Sequence, residues 1–121
     1  MANEITLNLR FRVEKGFIVD DFNPGTSLVT MSGSVAVSGV QTIGTTADVL
    51  VMSDVSSAGY GYFRNTDTTN FVELGTGTGG SFVSFGKLKA GESAIIRLGT
   101  NAPTARANTA SVNLLYAIYA D

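Results

Sequence analysis

Apolar and polar residues alternate along most of this chain, in short runs that glycine, asparagine and proline interrupt. The longest run covers residues 4–14, where every second residue is apolar: Ile5, Leu7, Leu9, Phe11 and Val13. A period of two over about ten residues predicts a half-buried β-strand, because successive side chains of a strand point to opposite faces. We therefore expect the apolar face of this first strand to be covered.

Shorter strands follow, separated by turn signals. Residues 17–22 predict a strand that ends in a firm turn at Asn23-Pro24-Gly25. Asn65-Thr66-Asp67 has the composition of an Asx turn, and residues 89–92 that of a hairpin turn. Residues 99–110 are rich in Ala, Thr and Asn and contain a proline, which predicts a long loop, and Ser111–Ala120 alternates as a last strand.

Together the runs predict eight or nine short, mostly antiparallel strands, spaced roughly 8–12 residues apart, and no convincing helix. Such spacing favours a β-sandwich or jelly-roll-like fold over a fold of alternating strands and helices. A chain of 121 residues fits one domain. We therefore predict a single all-β domain over residues 1–121.

The composition narrows the range of functions that this chain can have. The chain has no histidine, cysteine or tryptophan, which removes most side chains used for catalysis and for binding transition metals. The net charge is −2, so no basic excess is present to bind nucleic acid. Charged residues make up 15% of the chain, fewer than in most globular proteins. These features predict a structural or binding protein that is not an enzyme and needs no cofactor.

Membrane insertion and secretion are not indicated. The apolar runs have the length of strands, shorter than the ~20 residues of a spanning helix. Residues 1–4, Met-Ala-Asn-Glu, do not begin a secretion signal. We expect the protein to be made in a cytoplasm.

Three features of the sequence can be explained either by a functional site or by ordinary structure. Residues 75–80 contain G-x-G-x-x-G, but a strand pattern follows where a dinucleotide site needs a helix, so a hairpin loop or bulge is predicted. Asp20 and Asp21 offer oxygen ligands for calcium, but at the wrong spacing for a known loop, so we predict no metal site. Six aromatic residues could stack against a sugar, although core packing is favoured: Tyr60, Tyr62, Phe63, Phe71, Phe82 and Phe85.

The second half of the chain carries an ordered set of short motifs. A strand ends at Asn65-Thr66-Asp67, Asn70-Phe71-Val72-Glu73-Leu74-Gly75 follows, and then Leu88-Lys89-Ala90-Gly91-Glu92. In this order and spacing the segment 59–121 resembles small virion proteins of tailed bacteriophages. The resemblance implies a β-sandwich structural protein of the phage particle, such as a capsid decoration (cement) protein that clusters as trimers on the major capsid protein. Residues 1–58 match less clearly, which leaves a neck or tail component of the virion as an alternative. A carbohydrate-binding module for attachment to a host surface is a second alternative, from a different class of function.

Candidate contact residues lie on the first strand and in two loops. Arg10 and Arg12 share the polar face of the first strand, where arginines are good interface anchors. The loops at 75–80 and 99–108 are candidates because partners usually bind the loops of rigid sandwiches. The residues selected in these loops are Gly77, Gly79, Asn101 and Arg106.

Overall fold

A computed structural model describes residues 2–121, and all its long elements are strands. One short 3-10 turn covers Gly79–Ser81. The all-β prediction is thus confirmed, with ten strands within residues 2–121 instead of eight or nine. Their bounds are β1 (Ile5–Lys15), β2 (Ile18–Val29), β3 (Ala36–Ile43), β4 (Asp48–Val49), β5 (Ala58–Asn65), β6 (Val72–Thr76), β7 (Val83–Leu88), β8 (Ser93–Arg97), β9 (Thr104–Ala107) and β10 (Val112–Ala120).

The chain forms two compact units, of which the first ends at Ser32 and the second is Gly33–Asp121. The prediction of one domain over residues 1–121 stays a prediction. The first unit is a two-stranded antiparallel hairpin of β1 and β2. Its loop has two residues, Gly16 and Phe17. Gly16 has a φ of +56°, and Phe17 has no positive φ. Glycine at the first loop position is typical of a type II′ turn, which matches the twist of the two strands.

The hairpin contains a bulge where the sequence predicted a turn. Leu9 pairs with Gly25 and Phe11 with Phe22, so Arg10 on β1 faces both Asn23 and Pro24 on β2. The prediction of a turn at residues 23–25 was wrong, because proline is also tolerated at a bulge, where no ladder hydrogen bond is needed from it. The extra residue shifts the phase of β2, so that Phe22 and Gly25 both lie on the same face as Leu9 and Phe11.

The second unit is a sandwich of two four-stranded antiparallel sheets. Their strand orders are β3-β10-β5-β8 and β4-β9-β6-β7. Most consecutive strands belong to opposite sheets, so the chain passes back and forth between the two layers as in an eight-stranded jelly roll. Inward-facing residues of both sheets form one core, which includes Ile43, Phe63, Val72, Leu74, Ala105, Val112, Leu114 and Ile118.

Strand β9 corrects the prediction of a long loop over residues 99–110. It lies in the interior of its sheet between β4 and β6, and its residues Ala105 and Ala107 are completely buried. The sequence Thr-Ala-Arg-Ala does alternate, but its inward side chains are only methyl groups. Alanine is common in helices and loops as well as in cores, so its alternation is a weak signal for a strand.

Candidate interaction surfaces

The hairpin has one apolar face and one polar face. The cross-strand pairs put every second residue of β1 beside residues of β2 that are apolar or small, with Asp20 opposite Val13 as the exception. Phe11 and Phe22 are a directly opposed pair with ring centroids 6.2 Å apart, and their residues are 62% and 59% exposed. The expectation of a covered apolar face is therefore wrong within this chain. The face consists of Ile5, Leu7, Leu9, Phe11, Val13, Ile18, Phe22 and Val29, together with Ser27, Gly25, Lys15 and Asp20.

The polar face of the hairpin holds Arg10 and Arg12, as the alternation predicted. The Arg10 guanidinium donates two hydrogen bonds to the Asp21 carboxylate, at 3.2 and 2.9 Å. Arg12 pairs with Glu14 at 2.8 Å. All four side chains are exposed, so these ion pairs contribute little to stability. Both arginines already have acidic partners, whereas the exposed apolar residues of this hairpin, such as Phe11 and Phe22, lie on its other face.

The two candidate loops meet at one end of the sandwich. Gly77 and Asn101 line the same cleft, whose volume is about 600 Å³. Gly77 and Gly79 have φ values of +79° and +54°, in the region that favours glycine. The backbone conformation of the loop is therefore sufficient to account for glycine at both positions. The Gly79 N–H donates to the Ala47 carbonyl at 3.3 Å. None of the residues that line the cleft is ionisable.

Arg106 lies elsewhere, on the outer face of the sheet β4-β9-β6-β7. Its guanidinium donates to the Glu73 carboxylate at 2.9 Å and lies 4.6 Å from the ring centroid of Phe82. This hydrogen bond from Arg106 holds the pKa of Glu73 below its usual range, against the opposing effect of desolvation. On the same face the Lys87 ammonium lies over the Phe71 ring. Arg106 therefore joins neighbouring strands instead of lying in a loop.

The outer face of the other sheet, β3-β10-β5-β8, carries two arginines, Arg64 and Arg97, beside apolar residues. Val40 on β3 pairs with Leu115 on β10, and Tyr62 on β5 pairs with Ile95 on β8. Val40 and Ile95 are exposed. We call these four residues the outer apolar patch. The six aromatic residues considered for sugar binding are thus divided among two outer faces and the core, where Phe63 is completely buried.

The motifs that carry the phage resemblance meet at one corner of the sandwich. The buried Asn65 side chain donates to the carbonyls of Asn70 and Leu88 at 2.9 and 3.0 Å. Its Oδ1 accepts the Asp67 N–H at 2.9 Å, which confirms the Asx turn. The Asn65 N–H donates to the Glu92 carbonyl at 3.0 Å. One side chain thereby connects all three motifs, so their joint occurrence has a structural cause.

Two acidic residues complete this corner. Asp67 accepts the backbone N–H groups of Asn70 and Thr69 at 2.6 and 2.9 Å. These two hydrogen bonds, with that of Asn70 the stronger cause, hold the pKa of Asp67 below its usual range. Glu92 accepts the Lys89 N–H at 2.7 Å, within the hairpin turn predicted at residues 89–92.

Within residues 2–121, no group of three or more acidic side chains lies close enough together to hold a metal ion. No helix in the described part of the chain has the length and apolar character needed to cross a membrane. Comparison with known protein families, with curated proteins and with solved structures found no match.

Proposed function

We propose that this chain is a structural protein of a tailed-bacteriophage particle, a decoration protein that binds the major capsid shell and stabilises it through many repeated contacts. The observation that carries the proposal is the hairpin. It presents a continuous apolar face that is largely exposed, and a two-stranded hairpin is at best marginally stable in water. A protein that keeps such a face is built to be covered by neighbours.

The sandwich supports the same role in two ways. Its jelly-roll strand order occurs in viral capsid and lectin domains, although a fold alone does not decide function. The corner around Asn65 unites the motifs that resemble phage virion proteins. In this role the protein carries out no turnover. It adds buried area where it binds, and symmetry makes many weak contacts additive.

The copy number in purified particles tests the proposal. We expect on the order of hundreds of copies per particle, as the symmetry of a shell requires. Far fewer copies would favour the neck or tail alternative. Specific binding of the isolated protein to a glycan array, with no association with particles, would favour the carbohydrate-binding alternative.

A binding assay identifies the contact surface. Particles assembled without this protein are mixed with the purified chain, and bound protein is measured after sedimentation. We expect Val40→Asp, in the outer apolar patch, to weaken binding more than Lys87→Asp on the opposite outer face. Equal effects of the two variants would show that the shell does not contact the outer apolar patch.

A further inference from the structure

We propose that the apolar face of the β1-β2 hairpin is covered by the hairpins of other copies of this chain. In this arrangement the hairpins point the same way, and β1 of one copy lies against β2 of the next. The inference deepens the proposed function, because it names the partner of this surface and the mode of contact. It concerns the purified chain alone and is tested without particles.

The area of the face is sufficient for a stable contact. Its aromatic and large aliphatic residues include four that are about half exposed or more, Leu9, Phe11, Ile18 and Phe22. With about 200 Å² for each fully exposed large side chain, the exposed parts of the whole face amount to roughly 700 Å². Standard interfaces bury roughly 800 Å² on each partner.

The distribution of side-chain size makes the face complementary to itself. On this face β1 contributes a column of bulky residues, with Leu7 and Leu9 in its middle. Their register partners on β2 are the small residues Ser27 and Gly25. When the hairpins point the same way, Leu7 and Leu9 of one copy lie on Ser27 and Gly25 of the next, and Phe11 lies on Phe22. When they point in opposite ways, with Lys15 at the level of Ile5, Leu9 instead meets Phe11 of the neighbour, and two bulky residues compete for the same space.

The charges on the face favour the same orientation. Lys15 and Asp20 lie on the apolar face near the turn, and within residues 2–121 neither belongs to an ion pair. Parallel hairpins put Lys15 of one copy near Asp20 of the next. Antiparallel hairpins put Lys15 at the level of Ile5 and leave Asp20 without a cation.

The arrangement closes on itself. Because β1 of each copy contacts β2 of the next, two or three copies arranged around one axis cover the apolar face of every hairpin. The predicted trimer is one of these closed forms. No face is then left to recruit further copies.

Two leucines of the same hairpin give a matched test. Leu9 lies on the apolar face and is 47% exposed, whereas Leu28 lies on the polar face and is 56% exposed. We expect the purified chain to be a dimer or trimer by light scattering after gel filtration. Leu9→Asp is expected to raise the dissociation constant at least 100-fold, and Leu28→Asp to leave it within about threefold. A monomeric wild-type chain, or equal effects of the two variants, overturns the inference.

A pair of charge variants shows that the contact lies between copies. Lys15→Asp makes the turn region of the face acidic, and Asp20→Lys makes it basic. Each variant alone is expected to associate more weakly, and an equimolar mixture is expected to assemble better than either, because opposite charges then meet across the contact. No gain on mixing contradicts the predicted position of these charges.

Disulfide cross-linking tests the orientation, since the chain contains no cysteine of its own. Chains carrying Leu7→Cys are mixed with chains carrying Ser27→Cys and oxidised. We expect a cross-linked pair, because the parallel arrangement places these positions face to face. Thr26→Cys, one residue away on the polar face, is the control and is expected not to link. Equal linking by Thr26→Cys excludes the arrangement.

These outcomes separate the inference from the proposed function. If the oligomer forms as described but does not bind particles, the inference about the hairpin is supported and the decoration role is contradicted. If the chain is a monomer that binds particles, and Leu9→Asp abolishes this binding, the decoration role is supported. The hairpin face then contacts another virion protein and not a second copy of this chain.

Discussion

The hairpin and the sandwich are built from the same kind of strand and differ in what covers them. In both, apolar and polar residues alternate with a period of two. In the sandwich, the apolar face of each sheet lies on that of the other, and Phe63 and Leu114 are completely buried. In the hairpin, Phe11 and Phe22 lie on a face of the same kind and are more than half exposed. Alternation therefore decides which side chains share a face, and a second layer decides whether that face is buried.

The largest expected difference concerns one phenylalanine in each unit. Phe63→Ala removes a ring from the centre of the core and is expected to lower the free energy of unfolding by about 3–5 kcal/mol. Phe22→Ala removes the contact with Phe11 in the hairpin, but it is expected to lower the free energy of unfolding mainly through the contact between copies, and so by an amount that grows with protein concentration. Urea unfolding at two protein concentrations measures both. A concentration-dependent effect of Phe63→Ala, or a large concentration-independent effect of Phe22→Ala, would remove the distinction.

The next comparison uses two asparagines. Asn65→Ala leaves the carbonyls of Asn70 and Leu88 without their donor and is expected to lower the free energy of unfolding by about 2–3 kcal/mol. Asn8 accepts a hydrogen bond from Thr26 on the polar face of the hairpin. Asn8→Ala is expected to change the free energy of unfolding by less than about 0.5 kcal/mol. Thermal unfolding monitored by circular dichroism compares the two. Similar melting temperatures for both variants would mean that the corner is not a main support of the fold.

A smaller effect is expected at Tyr116, which is part of the sandwich core. Its hydroxyl donates to the Val51 carbonyl at 2.7 Å, and burial raises the pKa of this tyrosine. Tyr116→Phe is expected to lower the free energy of unfolding by about 1 kcal/mol. Tyr119→Phe, on the outer face of the same strand, is the control and is expected to have no measurable effect. Chemical unfolding at neutral pH distinguishes them.

The smallest effect concerns pH. The pKa values of Asp67 and Glu73 are lowered in the folded chain, so the unfolded chain binds protons more readily than the folded one. These two carboxylates therefore contribute stability above the carboxyl pKa of the unfolded chain, and the contribution is lost as the pH falls through their lowered values. The urea midpoint of the wild-type chain is expected to fall below about pH 4. Asp67→Asn and Glu73→Gln are each expected to flatten this fall, and an unchanged slope in both would contradict the assignment.

The sequence predicted most of the strands because large apolar residues mark their inward faces. Strand β10 was visible from Val112, Leu114, Tyr116 and Ile118 alone. Strand β9 was not, since its inward residues are alanines, and Arg106 was therefore placed in a loop. The bulge at Asn23 and Pro24 was read as a turn because the same residue types favour both. Turns held by their own side chains, such as that of Asn65 and Asp67, were predicted correctly because their hydrogen bonds are local.

The candidate surfaces were harder to predict. Gly77 and Asn101 are far apart in the sequence, and only the closure of the sandwich puts them in one cleft. Arg10 and Arg12 were placed on the correct face of β1, yet their acidic partners were not recognised. The exposed apolar face was missed because a strand pattern contains no information on whether another layer lies over it.

By itself, the sequence determined the all-β class of this protein, the two faces of its first strand and the local turn at Asn65, because each depends on residues close together in the chain. Only the tertiary structure decided that β9 lies inside a sheet, that one asparagine joins three distant motifs, and that the hairpin keeps its apolar face exposed. These features depend on which strands pair and which layers stack. Both are set by contacts between residues far apart in the sequence, which no local pattern records.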